Sequence, residues 1–75
     1  MITEDVREIL HAAPFVPFTI FLANGRTFRI EHPDFVLLPR IGHVMVISLE
    51  NGAFAHIDLL LATHLETDAT GAAAL

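Results

Sequence analysis

The sequence predicts a mainly β domain: one N-terminal α-helix, then five or six short antiparallel strands bent into a small closed barrel. Three observations predict it. The apolar period is helical up to Ala13 and becomes two from Phe18 onward. Asn24-Gly25 and Asn51-Gly52 sit between apolar runs, as hairpin turns do. The runs between turns are short and apolar on both faces, which suits a barrel filled by its own side chains.

The helix is expected over residues 3–13. Thr3 is placed to cap it, and Glu4 and Asp5 lie in the first turn, where the helix dipole favours anions. Val6, Ile9, Leu10 and Ala13 form one apolar face, His11 serves the C-terminal dipole, and Pro14 ends the run. From Phe18, alternation sets Phe18, Ile20 and Leu22 on one side. Asn24-Gly25 tolerates the positive φ angles of a type I′ turn. Phe28 and Ile30 point inward from the next strand. His32-Pro33-Asp34 interrupts it, because proline cannot donate to a ladder. Phe35 to Leu38, His43 to Leu49 and Phe54 to Asp58 continue as strands. A tight turn at Leu59-Leu60 and a last strand from Thr63 to Glu66 follow. The barrel thus spans 17–66 within a single domain, 1–67, and residues 68–75 read as a flexible tail.

Seventy-five residues hold one core. Apolar burial contributes on the order of 110 kcal/mol, and ordering the chain costs about the same, at roughly 1.5 kcal/mol per residue. A lone copy is therefore near balance. With no cysteine there is no disulfide to add, so the 53% apolar content favours a homo-oligomer. Nine acids against four arginines, with no lysine, give a net charge of −5. That balance disfavours nucleic acid as the main partner. The acidic N-terminus is unlike a signal peptide, and the longest apolar run, Leu59 to Ala62, is too short to span a membrane. A cytoplasmic protein without a membrane partner is the expectation.

The stretch from Pro17 to Glu66 resembles the Sm-like family, in particular an uncharacterised bacterial branch akin to Hfq. Pro17, Leu22, Asn24 and Gly25 fit the family's first strand and its Asn-Gly turn. Asp34-Phe35 stands where the family has a Phe-Asp pair, and the run from Ala53 to Glu66 is similar to its closing strand, 3₁₀ turn and final strand. The resemblance implies an SH3-like, strongly bent five-stranded antiparallel barrel, pairing its open edges between copies to form a ring. It also points to RNA contact near Phe54-Ala55-His56, where His56 matches and Ala55 replaces the family's lysine. Arg26 and Arg29 supply the remaining candidate phosphate contacts. The resemblance therefore implies a non-enzymatic interaction scaffold, with weak single-stranded RNA binding through Arg26, Arg29, Phe54 and His56 as the alternative.

Catalytic signatures are absent from the sequence: no nucleophile elbow, no triad spacing and no glycine-rich phosphate loop. No cofactor is expected. His56, Asp58 and His64 raise a metal question, but the expectation is none, with these residues on a solvated face or at a subunit contact. Met45, Ile47, Leu49, Leu59 and Leu61 exceed what one small core holds, and these residues are expected at a subunit interface.

Overall fold

The computed structural model describes residues 2–68. Helix α1 (Ile2–Leu10) precedes six strands: β1 (Phe18–Leu22), β2 (Thr27–Ile30), β3 (Val36–Leu37), β4 (Val44–Ser48), β5 (Phe54–Asp58) and β6 (Ala62–Thr67). Short 3₁₀ turns, Pro33–Phe35 and Leu59–Leu61, separate β2 from β3 and β5 from β6. The mainly β class and the N-terminal helix are as expected.

The helix is shorter than expected. It starts at Ile2, so Thr3 is a buried residue inside the first turn and not its cap. At the other end His11 N donates to Glu8 O (3.2 Å) and Ala12 N to Ile9 O (3.3 Å). These i→i+3 bonds tighten the chain past Leu10, and Pro14 disfavours helical geometry at Ala13. His11 Nδ1 donates to Arg7 O at 2.9 Å, satisfying one of the last carbonyls.

The strands form two antiparallel three-stranded sheets, ordered β2-β1-β6 and β3-β4-β5. Among the described residues no ladder joins the sheets, so the closed barrel expected from the sequence is corrected to two packed sheets. Pro33 is the local reason: it has no N–H to donate, and the 3₁₀ turn it opens divides one bent path into β2 and β3. Within the first sheet, Phe18 pairs with Ile30 on one side and with Thr67 on the other, and the β1–β6 register shifts between Phe21 and Leu22. Within the second, Val46 lies between Leu37 and His56.

The hairpin turns differ from the expected type. Leu22 N donates to Arg26 O (2.9 Å) and Gly25 N to Leu22 O (3.0 Å), which makes a three-residue loop. Gly25 alone takes a positive φ, +89°; Asn24 does not, and its Oδ1 instead accepts from Arg26 N at 2.9 Å. The loop Glu50-Asn51-Gly52 repeats the pattern, with Gly52 at φ +86° and Asn51 Oδ1 accepting from Ala53 N. Both are hairpin loops closed by a left-handed glycine, not type I′ turns.

The core lies between the sheets. Phe18, Ile20, Phe28 and Ile30 face Met45, Ile47 and Ile57, with Val6 of α1 and Leu59 of the second 3₁₀ turn completing it. Three of the five residues expected at a subunit interface, Met45, Ile47 and Leu59, are therefore packed inside one chain. The two sheets supply enough inward positions for them. Leu49 is half-buried against this core, and Leu61 is exposed. Asp68, expected to begin the tail, is anchored: its N–H donates to Pro17 O at 2.9 Å. The rest of the expected tail, 69–75, lies outside the described residues.

Candidate interaction surface

The arginines are committed to neighbours within the chain. Arg29, projecting from β2, donates through Nε to Glu31 Oε1 (2.8 Å) and through both terminal nitrogens to Asp68 (3.1 and 2.7 Å). The bidentate Asp68 bond, then the Glu31 bond, raise the guanidinium pKa further, and Arg29 in turn holds the Asp68 carboxyl below its ordinary value. Arg26 follows Gly25 and lies over the Phe28 ring, 4.9 Å from its centroid. Arg7 reaches Glu4 (3.9 Å) and donates to Pro39 O (3.1 Å). Of the four residues named for RNA contact, Arg26 and Arg29 belong to the β2-β1-β6 sheet region and Phe54 and His56 to β5 of the other sheet. The structure does not merge them into one basic–aromatic strip.

The histidines also separate. His43 Nδ1 lies 2.8 Å from Asp58 Oδ1, and that oxygen accepts from Leu60 N at 2.9 Å. The Leu60 N–H first, and His43 second, hold the Asp58 carboxyl below its ordinary value. His64 stacks on Phe21, with centroids 4.3 Å apart and planes at 8°, and contacts Glu66 at 3.3 Å. His32 meets Phe35 edge-on. His56 points out of β5 with no hydrogen bond among the described residues. His56, Asp58 and His64 do not converge, and among the described residues no group of three His, Cys, Asp or Glu side chains is arranged to hold a metal.

What remains at the surface is apolar side chains and open strand edges. Phe35, Leu37 and Phe54 are each more than half exposed. With Val46 and Ser48 they line a shallow groove of about 190 Å³ on the outer face of β3-β4-β5. Among the described residues β5 pairs only with β4 and β6 only with β1, so each presents one unpaired edge, as do β2 and β3 at the other ends of the two sheets. Leu60 and Leu61, both 59% exposed, lie in the turn between these strands. A second groove, about 400 Å³, runs between α1 and β6. Ile2, Ile9 and Leu65 are its apolar lining, Asp5 and Glu8 are its acids, and His64 lies on the β6 side.

The sequence reading missed the α1–β6 groove, because Asp5 and Glu8 read as ordinary first-turn and polar-face acids. Their i, i+3 spacing places them on one helix face, and that signal was present. The exposed Leu37 was legible only in hindsight of register, since Phe35 to Leu38 is apolar at both parities. The His43–Asp58 contact joins residues 15 apart and had no local signature.

No protein-family model, no curated protein and no solved structure matches this chain. Among the described residues no helix is long and apolar enough to cross a membrane.

Proposed function

We propose that this chain is a non-enzymatic, Sm-like β domain that assembles into a homo-oligomeric ring and serves as an interaction scaffold. One observation carries the reading: β5 and β6, the strands on either side of the Leu59–Leu61 turn, each pair on one side only among the described residues. Unpaired backbone groups on an edge recruit another strand unless charge or a bulge blocks them. Neither β5 nor β6 contains a lysine, arginine or proline, and the β6 irregularity is confined to its start, Ala62 to His64. Pairing of β5 with β6 between copies satisfies these two of the four sheet edges at once and covers Leu60 and Leu61.

The Sm-like part of the reading draws support from strand order. The last strand returns to the first, and a bend at Pro33 hands the path from one sheet to the other. The bend and the 3₁₀ turn before the last strand are compatible with the fold the sequence resemblance implies.

Weak single-stranded RNA binding is the second reading. Phe54 and His56, exposed two residues apart on β5, favour it as a stacking pair. The engagement of Arg29 by Asp68 and Glu31 weighs against it. Native mass spectrometry with and without oligo-U tests both readings. A multiple of the 8.2 kDa chain without bound RNA supports the scaffold. Stoichiometric oligo-U on the assembly favours the RNA reading, and a bare monomer removes the first.

A further inference from the structure

The α1–β6 groove is the larger of the two grooves, about 400 Å³. Its aliphatic lining, Ile2, Ile9 and Leu65, is half-buried. Its polar groups are of two kinds. Thr63 Oγ1 donates to Phe21 O (3.2 Å), and His64 stacks on Phe21 and contacts Glu66. Asp5 and Glu8, exposed and one turn apart on α1, have no side-chain hydrogen bond or ion pair among the described residues. Asp34 and Glu50 share that condition, but they stand singly, in the first 3₁₀ turn and in the β4–β5 loop. Asp5 and Glu8 alone combine paired negative charge with an aliphatic wall. The chain holds little to match them. It has no lysine, and Arg7, Arg26 and Arg29 are engaged, which leaves Arg40 in the β3–β4 loop.

We propose that the α1–β6 groove binds a cationic, partly aliphatic peptide segment of a different protein, with arginine side chains on Asp5 and Glu8 and aliphatic side chains against Ile2, Ile9 and Leu65. This goes beyond the assembly reading, because the groove is complete within one chain whether or not copies pair. Charge selects the sign of the occupant. Two unpaired carboxylates on a chain of net charge −5 attract a basic segment and repel phosphate, so nucleic acid and anionic lipid do not fit. The aliphatic lining selects a side chain over a bare ion. Among the described residues no group of three His, Cys, Asp or Glu side chains is arranged to hold a metal. An arginine instead lays its aliphatic stem on apolar surface while its planar head meets the carboxylates. A second copy offers one unengaged arginine for two carboxylates and adds its own net −5, so a different, basic protein is the better match.

Labelled short peptides test the groove by fluorescence anisotropy on the full chain, with circular dichroism as the folding check. The peptides alternate arginine with leucine, arginine with serine, or glutamate with leucine. The arginine–leucine peptide binds tightest, the arginine–serine peptide at least about tenfold more weakly, and the glutamate–leucine peptide not at all. Asp5→Asn with Glu8→Gln weakens the arginine–leucine peptide by at least about tenfold. Asp34→Asn with Glu50→Gln makes the same change in net charge and leaves its affinity within about twofold. Equal binding of the two arginine peptides, or equal loss in the two double variants, overturns the proposal, because either result reduces it to general attraction toward an acidic chain. Failure of the arginine–leucine peptide to bind overturns it as well. Self-association that Asp5→Asn with Glu8→Gln abolishes would assign the groove to a second copy and also overturn it. If that variant fails to fold, the three peptides on the wild type decide. Light scattering on the same samples reads assembly separately: a monomer that binds the arginine–leucine peptide keeps this proposal and removes the ring.

Discussion

Arg29 grips Asp68 through two parallel hydrogen bonds, 3.1 and 2.7 Å, from opposite sides of β1. The pair spans the sheet, tying the segment after β6 to β2. It also removes from circulation the guanidinium that an RNA backbone would need.

Oligo-U affinity follows from that engagement. With Arg29 doubly paired and a net charge of −5, dissociation constants near physiological salt are weaker than about 10 μM. Arg29→Ala leaves them unchanged in fluorescence anisotropy. Submicromolar binding that Arg29→Ala and added salt both reduce would reverse the ranking of the two functional readings.

Acid should reveal the Asp58 contacts. The Leu60 N–H and His43 hold this carboxyl below its ordinary value. A carboxyl with a lowered folded pKa contributes stability above its unfolded value and loses it as pH falls through the folded one. Asp58→Asn is therefore less stable than wild type at neutral pH, and the gap closes as pH falls below the ordinary carboxylate range. Urea midpoints at several pH values measure it. A gap independent of pH would mean the carboxylate charge contributes nothing.

Core and surface leucine-class residues separate cleanly by substitution. Met45 is fully buried, and Met45→Ala costs about 2–5 kcal/mol. Ile47→Asp unfolds the chain, because it buries an unpaired carboxylate. Leu61→Asp, at an exposed position, keeps the fold by circular dichroism while reducing association. Loss of fold in Leu61→Asp would place that side chain in the packing of one copy.

Gly25 tests the turn. At φ +89° a side chain meets no neighbouring atom but adopts a left-handed backbone, so Gly25→Ala costs about 1–2 kcal/mol in thermal or urea unfolding. Gly25→Asn costs less, since asparagine tolerates that region better.

Local chemistry explains which features were legible in advance. Phe18, Ile20, Phe28 and Ile30 alternate strictly, so their strand and inward face could be read directly. Asn24-Gly25 and Asn51-Gly52 marked both hairpins, but loop length, set by the Leu22–Arg26 and Leu49–Ala53 bonds, decided the turn geometry. Pro33 marked a break; whether sheets would join across it depends on pairing between distant strands. The destination of Met45, Ile47 and Leu59 was misjudged for the same reason: both parities of β4 are apolar, and only tertiary pairing shows that Met45 and Ile47 share the inner face with Ile57. Of the candidate contacts, His56 and Phe54 stand exposed on β5, whereas the acids that face the α1–β6 groove required the helix to be docked.

The mass of the full chain in solution decides whether copies of it assemble. Light scattering on material at micromolar concentration should report several times 8.2 kDa, falling toward that value in Leu61→Asp. A wild-type protein that scatters as a single folded 8.2 kDa chain across this range would contradict it.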